Sequence, residues 1–227
     1  MSTYVIVGGH GKVARLTEPL LTARGDTVNA IIRDRAQVAD VAACGAEPVV
    51  LDMQMAGVEE MAEVFRGADA VVWSAGAGGG SPERTYGVDR DAAMRSMDAA
   101  ALAHVDRYVM VSYWGAGRDL DRLGPSDGFR PYAEAKAAAD AHLRASSLAW
   151  TILGPTGLTM QDPSGLIDVG NPEEPYTALP PTSRGNVAAV VVAVLADDAT
   201  AGRTISFHDG ATPIERAIGA DRDPVRF

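Results

Sequence analysis

Short apolar runs rich in β-branched residues alternate along the chain with longer, Ala-rich stretches, and no other feature narrows the possible folds as far. The runs TYVIVGG, TVNAIIR, EPVVLD, AVVWSA, RYVMVS and AWTILGP are bounded by Gly, Asp, Ser or Pro and have the length and composition of buried strands. Between them, KVARLTEPLLTARG, GVEEMAEVFRG and GVDRDAAMRSMDAAALAH space their apolar residues as helices do, usually with a Gly near the end as a stop. Strands that are apolar on nearly every residue must be covered on both faces. The alternation therefore predicts an α/β fold, a doubly wound parallel sheet with helices on both faces. Pro19 falls inside the first helix and predicts a kink there, because it removes one backbone hydrogen bond.

Length and apolar content fit a single domain over residues 1–227, with 47% hydrophobic residues to fill one core. The pattern breaks only at 156–183, a 28-residue stretch rich in Pro and Gly with little periodicity. It is too long for a plain connection and predicts a small C-terminal substrate cap. A helix over 184–197, a last strand over 203–209 and a short C-terminal helix then complete the domain.

A net charge of −10 and the lack of any Lys/Arg run speak against nucleic acid as partner and favour a small molecule. No segment has the apolar length of a membrane span, and MST leads directly into the first strand without a signal-peptide pattern. With Cys44 alone no internal disulfide is possible, so the chain reads as cytoplasmic. His10, His104, His142 and His208 show no ligand spacing, and no metal is assigned.

The stretch VIVGGHGKVARL joins the first strand to the first helix and can be read in two registers, GxGxxA from Gly9 or GxxGxxA from Gly8. Either one lets the backbone approach a pyrophosphate held at the positive end of a helix. In the dinucleotide fingerprint a carboxylate about 20 residues on binds the ribose hydroxyl. Here AIIRDR puts Arg33 at that place, where a guanidinium matches a 2′-phosphate, so NADP(H) is the expected cofactor. Asp34 next to it keeps NAD(H) as the second reading. Asp52 is placed to accept from the adenine amine or to cap a turn, and Met53 to pack beside the ring. The small residues of WSAGAGGG, among them Ala75, Gly76 and Ala77, would let the chain pass close to the ribose and nicotinamide, with Gly78 to Gly80 read as a flexible loop.

Tyr132 and Lys136 stand in RPYAEAKAAADAHL at YxxxK spacing, on one face of a helix. A neighbouring ammonium would favour the phenolate, letting Tyr132 pass a proton to or from a substrate oxygen while Lys136 also holds the cofactor ribose. Of 20 basic residues only Lys12 and Lys136 are lysines, one in the glycine turn and one in this motif. Ser112 closes the fifth strand, where its hydroxyl would orient the same oxygen, and Tyr113 and Trp114 would form an aromatic wall. Residues 112–132 read as a loop covering the pocket.

Together, GxxGxxA at Gly8, Gly11 and Ala14, Arg33, VSYWGAG, PYAEAK and LAWTILGPTGLT resemble the atypical short-chain dehydrogenase/reductase superfamily. The nearest likeness is to its small single-domain NAD(P)-binding proteins, the flavin/biliverdin-IXβ reductase-like and NmrA-like groups. The resemblance covers nearly the whole chain and selects the Gly8 register. It implies a Rossmann fold and NADP(H) bound by Gly8, His10, Gly11, Lys12, Val13, Arg33, Asp52, Ala75, Gly76, Ala77, Lys136 and Pro155. It further implies catalysis by Ser112, Tyr132 and Lys136. Relatives commonly carry Arg before the proline after strand six; Gly154 stands there in this chain, which implies an opened pocket or a lost anionic contact.

The expected function is that of an NADP(H)-dependent oxidoreductase acting on a small carbonyl, quinone or flavin-like substrate. The alternatives are a non-catalytic NADP(H)-binding sensor and an NAD(P)-dependent sugar epimerase or dehydratase, the latter usually needing a larger C-terminal lobe than 156–183 provides. The Ala-rich helices at 88–103 and 132–147 either pair between subunits of a homodimer or pack on the sheet.

Overall fold

Val5, Ile6 and Val7 are each wholly buried, although successive strand residues point to opposite faces of a sheet. The computed structural model, which describes residues 1–78, 81–118, 120–174 and 178–219, shows why. β1 (Thr3–Val7) lies at the centre of a sheet with helices packed on both faces. The chain continues through α1 (Ala14–Thr22), β2 (Thr27–Ile32), α2 (Val38–Ala42), β3 (Glu47–Val50), α3 (Val58–Phe65) and β4 (Ala70–Trp73). α4 (Pro82–Thr85) runs into a π-helical stretch, Tyr86–Ala92, and on into α5 (Ala93–Leu102). β5 (Arg107–Val111), α6 (Arg130–Ala145) and β6 (Ala149–Pro155) follow. The last part comprises β7 (Leu158–Thr159), β8 (Leu166–Val169), β9 (Thr182–Ser183), α7 (Arg184–Leu195), β10 (Arg203–Asp209), β11 (Thr212–Pro213) and α8 (Ile214–Gly219).

Seven strands run parallel in the order β3-β2-β1-β4-β5-β6-β10, and β8 and β11 add an antiparallel edge beyond β10. This is the Rossmann-type order, with its switch point between β1 and β4, where the carboxyl ends of neighbouring strands open a crevice. In register, Tyr4 pairs with Val28 on one side and Ala70 on the other. Tyr4 and Ile6 face a core shared with Leu21 of α1 and Val187, Val190 and Val194 of α7, while Val5 and Val7 face Phe65 of α3, Met97 of α5 and Leu143 of α6. The Ala-rich helices α5 and α6 thus bury a face within the chain itself.

Pro19 is accommodated inside α1 on its solvent side, where the carbonyl it cannot satisfy belongs to the exposed Arg15. Of residues 156–183, Leu158 reaches the crevice, β8 lengthens the sheet, and Trp114 Nε1 donates to Glu174 O at 3.0 Å, fastening the segment to the loop after β5. Among the described residues no helix is long and apolar enough to cross a membrane. Gly79 and Gly80, Asp119 in the covering loop and the tail 220–227 lie outside the described residues.

Candidate functional site

The glycine turn is dictated by steric contact. Gly8 has φ +85°, and a Cβ there would lie 2.7 Å from the Ala75 Cα. A Cβ on Gly11 would lie 2.9 Å from the Gly8 carbonyl oxygen, which accepts from Gly11 N at 2.8 Å. All three glycines are therefore required by the backbone, Gly9 through a Cβ position 2.6 Å from that of Ala30 and Gly8 through its positive φ as well. Immediately after the turn α1 presents its N-terminal end to a cavity of about 260 Å³ at the carboxyl ends of β1, β2 and β4.

Gly8, His10, Gly11, Arg33, Asp52, Met53, Ala75 and Gly76 line that cavity, as the sequence predicts. Gln37, Gln54 and Arg84 join them, and no motif in the sequence signals these three. Arg33 stands exposed at the rim, whereas Asp34 Oδ1 accepts from Ala36 N at 2.9 Å and caps a short 3₁₀ turn. Asp52 Oδ1 accepts from Gln54 N at 3.0 Å, so one of its oxygens shapes the β3–α3 loop. His10 Nε2 lies 2.9 Å from Asp40 Oδ2; this hydrogen bond and the charge of Arg15 hold the Asp40 carboxyl below the usual range.

Ser74, Ala75 and Gly76 also border a second cavity, of about 690 Å³, which continues the cleft toward β5 and α6. Val13, Ala77, Ser112, Tyr132 and Lys136, all predicted, line it together with Asp89. Tyr132, Lys136 and Asp140 follow one another at four-residue steps along α6, so they share a helix face. The π-helical stretch turns Asp89 inward, where Oδ2 accepts from Ala77 N at 3.0 Å. Arg130 Nε donates to Glu134 at 2.7 Å and the Tyr86 hydroxyl donates to the same carboxylate, tying α6 to that stretch.

Lys136 is 1% exposed, and its Nζ donates to Val111 O at 2.9 Å and approaches Met110 Sδ at 3.2 Å. Burial pushes its pKa down, and Asp140 and Asp89 hold it up. Burial in turn raises both carboxyls, against the pull of the lysine charge. Tyr132 departs from expectation: its phenol is pushed up, not down, first by burial and then by Asp89 and Asp140. Lys136 Nζ donates to Val111 O and lies in the field of the two carboxyls, and the upward direction of the Tyr132 phenol is opposite to the lowering that YxxxK spacing predicts. Ser112 Oγ donates to Asp140 Oδ2 at 2.7 Å.

Tyr113, Phe129 and Tyr132 form a cluster of rings with centroids 5.4 to 5.5 Å apart, and Phe129 is 41% exposed at the cavity mouth. Trp114 turns away from it to reach Glu174 O. Three of the expected residues lie apart from both cavities. Lys12 is exposed and lines neither cavity, and Pro155 sits buried in β6, paired with Phe207, its carbonyl accepting from Trp114 N at 2.8 Å. Gly154 does not open the pocket either, because a Cβ there would lie 3.1 Å from both Tyr113 O and Ser206 Oγ. Besides Gln37, Gln54 and Arg84, sequence reasoning missed Asp89 and Asp140. Asp140 continues the 132/136 spacing and could have been found from it, whereas Asp89 depends on a π-helical register that periodicity does not reveal.

The family described as NAD(P)H-binding matches residues 8–198. This chain belongs to that family. The match spans both cavities, from the glycine turn through the YxxxK helix, and accords with the superfamily that the motifs resemble. A Bacillus subtilis relative, YhfK, named as an uncharacterized sugar epimerase, is 32% identical over 94% of this chain and 97% of its own length. Among solved structures, a Bacillus halodurans protein provisionally described as an NAD-dependent epimerase/dehydratase superposes with a TM-score of 0.87 at 30% identity, covering 97% of this chain and 100% of that one. The oxidoreductase YlbE from Lactococcus lactis gives 0.83 at 29% identity, over 96% of this chain and 95% of its own.

Proposed function

We propose that this protein is an NADP(H)-dependent oxidoreductase acting on a small, uncharged carbonyl, quinone or flavin-like substrate. The observation that carries the reading is that Ser112 and Tyr132 line one cavity, and that this cavity shares Ser74, Ala75 and Gly76 with the nucleotide cleft. The family's cofactor fits this chain: the glycine cradle admits no Cβ, and the start of α1 faces the place of a pyrophosphate. Arg33, unpaired among the described residues, supports a 2′-phosphate there, and one oxygen of Asp34, the carboxylate that NAD(H) would use, is occupied in capping a turn. When bound, the nicotinamide supplies or accepts the hydride.

The chain's own residues do the remaining work. Tyr132 gives its proton to the substrate oxygen as charge develops on it, and Ser112 fixes the direction of that oxygen. Lys136 and its two carboxyl partners keep the buried wall of the cavity close to neutral. The ring cluster and the exposed Phe129 and Leu158 suit a flat apolar ligand. Epimerase, the activity in the names of two relatives, would ask the same cavity to hold a sugar diphosphate. Of the described lining residues Lys136 is the only cation, committed to Val111 O, and Asp89 and Asp127 add negative charge.

The test is a substrate screen with NADPH across carbonyls, quinones and flavins, with Tyr132→Phe as control. Turnover is expected, and the variant should lose about 100-fold or more in kcat with NADPH affinity unchanged. NADPH binding without turnover of any of these compounds would favour the sensor, and conversion of a nucleotide sugar would favour the epimerase.

A further inference from the structure

A carbonyl oxygen only accepts hydrogen bonds, and a serine hydroxyl has one proton to give. Ser112 gives its proton to Asp140 Oδ2, so toward the cleft it presents lone pairs. To hold a carbonyl substrate the bond must run the other way, with the proton on Asp140 and the Ser112 O–H aimed at the substrate. A second observation concerns the other side of Asp140. Asp140 is wholly buried and its Oδ1 meets no hydrogen-bond partner, yet the residue lines another cavity, of about 560 Å³, behind the cleft. That cavity lies between α6, β6, β10 and the loop after β5, with Arg144, Thr204 and Ser206 on its walls.

The charges around Asp140 leave it poised. Lys136 and Arg144 on its own helix favour the ionised form, as does the Ser112 hydrogen bond, while burial favours the neutral one. Asp89 and Tyr132 stand on the cleft side, and Arg118, paired with Glu173, lines the far cavity.

We propose that Asp140 is a proton relay joining the two cavities: it takes a proton from water in the rear cavity and passes one through Ser112 to the reacting oxygen. The inference rests on the oxidoreductase reading. In the reducing direction the hydride forms the new C–H bond and the C=O π pair moves to oxygen. The Ser112 proton moves into the cleft, to that oxygen or to the Tyr132 phenolate left behind, as the Asp140 proton passes to Ser112 Oγ. Both hydroxyls end as they began and Asp140 ends as a carboxylate beside Lys136. Water in the rear cavity then reprotonates it, and rotation of the carboxyl group presents the new proton to Ser112. The net change is one proton taken from solvent per hydride delivered. Asp140 is thus a positioning residue for Ser112 as well as its source of protons.

Asp140→Asn separates these roles, since the amide donates to Ser112 at every pH and carries no transferable proton. NADPH affinity should stay within about twofold and Tm within about 3 °C, and the KM for a carbonyl substrate, which the relay requires to rise with pH in the wild type, should become flat. The same variant should lose about tenfold or more in kcat, recovered by small acids such as formic acid that fit the rear cavity. Unchanged kcat, or a loss without rescue and with the pH dependence of KM retained, would overturn the relay and leave Asp140 as a counter-ion. Infrared difference spectroscopy supplies an arm that needs no substrate. One protonated carboxyl band that shifts in D2O, beyond those of Glu18 and Asp89, should be present in the wild type and missing from Asp140→Asn; should that variant not fold, this band should titrate at higher pH in Ser112→Ala. Absence of the band at every pH would sink the relay, whereas its presence without turnover of any substrate would count against the oxidoreductase reading alone.

Discussion

Arg33 and Asp34 are adjacent in sequence and stand in different surroundings. Asp34 closes a turn through Ala36 N, and Arg33 stands at the rim of the adenosine half of the cleft. A guanidinium that pairs with a phosphate through charge-assisted bonds contributes about 1.5–3 kcal/mol, or roughly 10- to 100-fold in Kd. Arg33→Ala should therefore weaken NADPH by that factor and change NADH by less than about threefold. Trp73, wholly buried at the end of β4, provides an energy-transfer signal for both titrations. Equal losses for the two nucleotides would remove the phosphate from the account. The glycine turn was legible because sterics allow few residues there, and Tyr132 and Ser112 were legible because their positions follow from helix period and strand end. Of the groups around Lys136, Asp140 continues the spacing along α6, whereas Val111 O and Asp89 come from elements far apart in sequence that no local pattern brings together. That is why the YxxxK pattern located the side chain correctly and misjudged its effect on the phenol.

At the scale of elements the alternation of strand and helix translated directly into the parallel sheet, because strands buried on both faces leave a plain apolar trace. Two elements did not. The π-helical stretch that turns Asp89 inward breaks the 3.6-residue period, and β8 is set by pairing with β10 across an intervening helix rather than by its own sequence. The β3–α3 loop shows how a distant element fixes part of the site. Arg95 of α5 donates from Nη2 to Gln54 O at 2.9 Å and to Met53 O at 3.2 Å, and from Nε to Ala56 O at 3.2 Å. Met53 and Gln54 line the nucleotide cavity, so α5 acts as a clamp on its floor. Arg95→Ala should cost about 2–3 kcal/mol of stability and weaken both nucleotides alike, the reverse of the Arg33 pattern. Urea unfolding and the same two titrations check it, and the clamp is refuted if the variant matches wild type in both.

The molecule as a whole carries a titratable fault on the face of the sheet opposite α3, α5 and α6. Glu18 of α1 is wholly buried, and neither carboxylate oxygen meets a nitrogen or oxygen donor. Burial pushes its pKa up to about 7, with Arg15 and the Cys44 thiol pulling it back only in part. The folded-state pKa thus lies above the ordinary 4.5, so folding favours the protonated form. The stability it contributes is fully present below about pH 4.5 and is lost as pH rises through 7, a change on the order of 2–3 kcal/mol. The net charge of −10 adds self-repulsion in the same direction, as do Asp89 and Asp140, so the wild-type slope alone does not isolate Glu18. Glu18→Gln does, because it keeps the shape and removes the titration. Compared with wild type by urea unfolding, the variant should be nearly equal at pH 5 and more stable by about 2–3 kcal/mol at pH 8.5. An identical difference at both pH values would mean that Glu18 is ionised throughout the range, with solvent reaching α1 in a way the packing of α1 against α7 does not allow.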